Sequence, residues 1–164
     1  MKKLFSVTHT SGTTSLALLI ARFGIAALML THGIPKMGML FSGETVQFLP
    51  FMGMSAEISL GLAVFAEVIC SLFLLAGFAT RLASIPLIFT MLVAVFMVHA
   101  ADPFSSKEAG LHYLLVYVAL LLSGAGKYSV DYLLQGKPAG ATARLQEIKP
   151  QVEDVWRGKK SFLN

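Results

Sequence analysis

Arg22 and Glu67 are ionisable residues set inside long apolar runs, Ser15–Thr31 and Ile58–Phe78. A charge at the centre of a bilayer costs about 2.5–3.5 kcal/mol on insertion scales, so such residues face a protein interior, pair with one another, or serve a proton, an ion or a small molecule. Their opposite signs, and their places near the middle of neighbouring antiparallel segments, predict a contact, direct or through one water. The contact has two readings: a structural tie that fixes helix register, and a polar intramembrane site. The pair alone names no chemistry. Ala63, Cys70 and Ser71 stand four before, three after and four after Glu67, on its side of a helix. These small residues let another backbone approach or leave room for a ligand beside the carboxylate.

A second set lies at the segment ends. His32 closes the first run and Lys36 follows one turn later. Glu57 precedes the second run, His99 ends the third and His112 begins the fourth. Alternating chain direction brings all five to one membrane level, as an outer-side pocket. Three histidines and a carboxylate can bind a metal, but no compact zinc motif exists, and no metal site is assigned. A pocket for a quinone-like head group and a proton route are the other functional readings, since imidazole changes charge near neutral pH. Water-facing or hydrogen-bonded histidines at helix ends are the structural one. Tyr113 and Tyr117, four apart, read as interfacial anchors or as a stacked pair. The chain has no P-loop, dinucleotide fingerprint, CxxC, haem-attachment motif or nucleophile elbow, and Cys70, its one cysteine, excludes an internal disulfide.

The elements that must position these residues follow from the distribution of charge. The chain has 164 residues, 55% hydrophobic and 13% charged, against about 25% charged in soluble domains. Charges crowd the ends and leave four apolar runs, the third being Leu82–Ala101 with Pro86 and the fourth Leu111–Gly126. Each approaches the ~20 residues needed to cross a bilayer. At that depth a single segment satisfies its backbone only as a helix. The expected fold is therefore all-α, a polytopic membrane protein built as a bundle of four transmembrane helices. Residues 1–14 form a polar cytoplasmic leader, 15–131 the membrane domain, and 132–164 a polar, weakly ordered tail with a short helix near Thr142–Glu147. The connection Gly33–Glu57 is broken by glycine and proline, yet Met37–Phe51 is too apolar for a free loop, so it should lie on the membrane surface or fold back over the bundle.

The net charge is +4, but the basic residues flank the apolar runs instead of forming an aromatic-laced patch. That argues against nucleic acid as a partner and for the bilayer. Lys2, Lys3, Arg81, Lys127 and Lys137 fall near the membrane on one side, Lys36 and Lys107 on the other. The bias places both termini in the cytoplasm, with the chain in the plasma or inner membrane of a bacterium.

Arg22, His32-Gly33 with Lys36, Glu67, Gly77 with Thr80-Arg81, His99, and the run Gly124-Ala125-Gly126-Lys127-Tyr128-Ser129-Val130-Asp131 together resemble the DoxX family of small membrane proteins. The resemblance covers about Ala17 to Asp131. Two positions depart from it: His112 stands where members often carry a glutamate near the start of span four, and Ala125 where a proline is common. The resemblance implies a four-helix membrane bundle and a link to quinone-dependent or thiol redox complexes. The expected function is a redox-linked accessory protein that handles a quinone or serves a quinone-linked oxidoreductase, itself membrane-bound or soluble. The alternatives are a small-solute or proton transporter and a purely structural membrane scaffold. Turnover is left open, a quinone is the candidate cofactor, and a homo-oligomer is a candidate assembly.

Overall fold

A computed structural model describes residues 11–134 and 148–150. These fall in two units, 11–134 in the first and the helical turn 148–150 in the second. The expected helix at Thr142–Glu147 and most of the leader lie outside the described residues.

Helix α1 spans Gly12–Phe41, thirty residues. Ser11 caps it by accepting from the Thr14 N–H at 3.2 Å, which satisfies one of the orphan donors at a helix start. Helix α2 runs Ala56–Ala76, opened by Ser55, whose hydroxyl accepts from the Ile58 N–H at 3.3 Å. Helix α3 runs Thr80–Val98 and α4 Phe104–Ser123. A short α5, Val130–Leu134, follows. Two stretches are wound as π-helix, Phe65–Cys70 within α2 and Ala94–Val98 at the end of α3.

Among the described residues, three helices are long and apolar enough to cross a membrane: α1, α2 and α3. The protein is thus all-α and polytopic. Helix α4 is twenty residues long, but its first half carries Lys107, Glu108 and His112. It packs chiefly on α3, and with the other three helices it closes one core. Ala26 and Met29 of α1, Cys70 and Leu74 of α2, Ala83, Leu87 and Met91 of α3, and Tyr117 and Leu120 of α4 meet there. Many large apolar side chains outside this core, such as Phe23, Leu62, Phe96 and Leu122, are exposed, as expected where lipid is the solvent.

Two sequence expectations are corrected here. The first helix does not end at His32; it continues through Gly33, Pro35 and Gly38 to Phe41. Proline is tolerated inside membrane helices where neighbours re-satisfy the backbone. Here the extension also has its own packing: Met37 and Leu40 join Val46 and Phe48 against Leu60, Val64 and Val68 of α2. The remaining connection folds back over the bundle, with the Phe51 N–H donating to Ser59 Oγ at 2.9 Å and the Phe51 ring edge-on to Phe89. The second correction concerns Tyr117. Its ring is fully buried and stacks on Tyr113 with centroids 6.1 Å apart, so it is a core residue and not an interfacial anchor.

The turn from α2 to α3 is closed by specific backbone bonds and two positive-φ residues. Gly77 adopts φ +67°, its N–H bonds Leu74 O, and the Phe78 N–H bonds Phe73 O at 2.9 Å. The Phe73 and Phe78 rings meet edge-to-face at 5.5 Å. This is the Schellman arrangement with its hydrophobic contact. Ala79 follows at φ +47°, an uncommon conformation for a residue with a Cβ.

Candidate functional site

Arg22 and Glu67 do not meet. Glu67 forms an ion pair with Lys36, and Arg22 donates to two carbonyls, Leu74 O at 3.1 Å and Tyr128 O at 2.7 Å. The reason lies in the antiparallel register of α1 and α2. A Cβ built on Gly33 would stand 3.0 Å from the Glu67 Cβ, and one on Gly77 would stand 1.7 Å from Arg22 Nη1. Glu67 therefore lies level with Gly33, and Arg22 level with the α2–α3 turn. Because α1 extends to Phe41, Lys36 is a helical residue one turn beyond Gly33, placed to reach Glu67.

Two polar centres result. At the first, the segment after α4 wraps over the α2–α3 turn. Asp131 is buried; its Oδ1 accepts from the Ala79 N–H at 2.7 Å and its Oδ2 from the Thr80 N–H at 3.1 Å. Its own N–H donates to Gly77 O at 2.9 Å. The carboxylate caps the start of α3, holds Ala79 in its left-handed conformation, and is the anionic charge felt by Arg22. Ser129 Oγ donates to Gly126 O at 2.6 Å, Gly124 and Gly126 both have positive φ, and Arg81 donates to Leu122 O at 3.2 Å. The Arg22 Nη groups and both Asp131 oxygens are engaged with the backbone around them, which is the geometry of a structural lock.

The second centre is a cavity of about 380 Å³, within the range of small-ligand pockets. Phe65, Ala66 and Ala63 of α2, Pro86, Phe89 and Thr90 of α3, and Phe48, Phe51 and Met54 of the folded-back connection supply its walls. Lys36 and Glu67 stand together in this lining. The carboxylate side chain is 2% exposed and the Lys36 side chain 31%. Glu67 lies within the π-helical stretch Phe65–Cys70, and such local π segments occur often at functional sites.

Of the five residues expected in an outer pocket, Lys36 alone lines this cavity. His32 is exposed and lies edge-on to Tyr113 at 5.9 Å. His99 Nδ1 is 2.7 Å from Asp102 Oδ2. Glu57 is exposed in the first turn of α2, and His112, expected to begin the fourth span, is instead exposed near the middle of α4, which starts at Phe104 because the polar stretch before Leu111 is also helical. No metal-binding group of three or more His, Cys, Asp or Glu residues exists among the described residues. Sequence reasoning missed the aromatic walls, Phe48, Phe51, Phe65 and Phe89. The usable signal was the apolar character of the broken connection. The small residues beside Glu67 serve both of their readings: Ala63 lines the cavity, whereas Cys70 packs in the core.

A helical, polytopic membrane protein with a largely apolar cavity lined by one lysine–glutamate pair is the class these features define. The DoxX family model matches residues 17–100, and the chain belongs to the DoxX family. It is 30% identical over 129 residues to an uncharacterised protein of Haemophilus influenzae, covering 74% of this chain and 85% of that one. No solved structure matches.

Proposed function

We propose that this protein is a redox-linked accessory protein that binds a quinone, or a closely related lipophilic carbonyl compound, in the cavity between α2, α3 and the folded-back connection. The observation that carries this reading is the cavity itself, with mostly apolar walls and Lys36 and Glu67 in its lining. An ammonium group has three donors. One is engaged by Glu67, and the others are free to bond a carbonyl oxygen. The Glu67 carboxylate fixes the lysine in place. Aromatic walls accept a flat ring, and the surrounding lipid accepts an isoprenoid tail. A quinone, when bound, supplies two-electron, two-proton redox chemistry; the chain's own residues orient it and hold a proton near its oxygen.

In the same proposal all four long helices cross the inner membrane of a bacterium, with both termini in the cytoplasm. Arg81 and Lys127 lie on the terminal side and Lys107 on the other, as the positive-inside bias requires. The test is gentle purification from native membrane, followed by mass spectrometry of bound lipids and co-purifying proteins. A quinone retained near one per chain, and lost in Lys36→Ala, is the expected result. A co-purifying oxidoreductase without quinone makes the protein a scaffold. Recovery alone, with solute flux in liposomes that disappears in Glu67→Gln, makes it a transporter.

A further inference from the structure

We propose that Glu67, Ser71 and Tyr117 together bind one internal water molecule on the side of the carboxylate facing away from Lys36. The inference goes beyond the cavity's function and does not depend on what the cavity holds. Glu67 uses Oε1 for Lys36, while Oε2 is buried without a hydrogen-bond partner. Ser71 Oγ and the Tyr117 hydroxyl are likewise buried and unpartnered, and the three residues are 1%, 0% and 0% exposed. Ser71 follows Glu67 by one helical turn on the same face. Tyr117 packs in the core cluster that contains Cys70 and Leu74, which flank Ser71 on α2, and its hydroxyl lies within the field of the Glu67 carboxylate.

Three unpartnered polar atoms inside one bundle are costly, and in hydrocarbon they have no bulk solvent to turn to. Buried waters occur where two to four such groups converge. Here the water donates to Glu67 Oε2 and to one hydroxyl, and accepts from the other. The carboxylate is then bridged on both sides, through Oε1 to the cavity lysine and through Oε2 to the bundle interior.

The sign of a stability change tests this. Tyr117→Phe removes only the hydroxyl and keeps the ring. Ser71→Ala removes the second hydroxyl. If a water joins them to Glu67, each variant lowers the melting midpoint by about 2–4 °C, and the double variant loses less than the two single losses combined, because both act on one water. A dry site predicts the opposite: Tyr117→Phe melts higher than the parent, since an unsatisfied buried hydroxyl is gone. That result, or strictly additive losses, overturns the proposal. Should either variant fail to accumulate, the parent in a lipidic crystal at a resolution that shows ordered waters decides it. A water within hydrogen-bonding reach of all three atoms is expected, and a direct Tyr117–Glu67 bond or no water overturns it.

Discussion

Replacing Gly77 by alanine tests the Arg22 lock most directly. The new Cβ would sit 1.7 Å from Arg22 Nη1, 2.7 Å from Cζ and 2.6 Å from the Ser129 Cβ, so the guanidinium has to leave its place. Leaving means surrendering the bonds to Leu74 O and Tyr128 O. Hydrogen bonds from a charged group are worth about 1.5–3 kcal/mol each, and an alanine in the left-handed region adds roughly 1–2 kcal/mol. The combined cost of about 4–8 kcal/mol is comparable to the whole stability of many domains, about 5–15 kcal/mol. The assay is the melting midpoint and monodispersity of the purified protein in a mild detergent. Gly77→Ala should fail to yield a monodisperse peak, or melt at least ~10 °C below the parent. Gly38→Ala is the matched control: no heavy atom lies within 4 Å of its Cβ and its φ is not positive. It should melt at or slightly above the parent, since alanine is the better helix former. A Gly77→Ala protein that melts within a few degrees of the parent would refute the claim that Arg22 is held in place by this turn.

Lys36→Met should destabilise the fold by stranding a buried carboxylate; breaking a buried pair costs about 3–5 kcal/mol, less here because the lysine is partly exposed. Lys36→Met combined with Glu67→Gln should recover much of that loss in the same melting assay, and a double variant as poor as the single would sink the pairing. Asp131→Ala should cost at least the ~0.5–2 kcal/mol of a lost helix cap, and amide hydrogen exchange should quicken first at Ala79 and Thr80. In a Cys70→Ser background, Thr45→Cys and Ser105→Cys should react with an impermeant thiol reagent from outside the cell and Lys127→Cys from inside; labelling of positions 45 and 127 from one side would rule out the four-span arrangement.

The helical membrane class was legible because hydropathy acts along the chain and needs no tertiary knowledge. The failures share a physical cause. The places of Arg22 and Glu67 within their apolar runs suggest a match, but antiparallel neighbours are set by register, and that depends on where α1 ends. Gly33, Pro35 and Gly38 look like a helix stop in sequence. The helix persists because packing on Leu60, Val64 and Val68 and the Lys36–Glu67 pair reward its continuation. The residues of the lock, Arg22, Gly77 and Asp131, were all singled out, but their mutual contact was not, because the partners are 52 and 106 residues from Arg22 along the chain. The π-helical turn that presents Glu67 carries no local sequence signature. The apolar connection, by contrast, is legible in sequence as unfit for a free loop, and Phe48 and Phe51 show why: they wall the cavity.

The span of the Arg22 contacts also sets a timetable for assembly. Arg22 leaves the ribosome early, but its second acceptor, Tyr128 O, is encoded 106 residues later. At about 5–20 residues per second, the delay is roughly 5–20 s. During that interval the guanidinium, level with the α2–α3 turn, lacks one of its final partners. A chain cut short before Tyr128 would keep its apolar helices and still lack one of the two acceptors of Arg22, so the packing around the first helix closes only once the segment after α4 has been made.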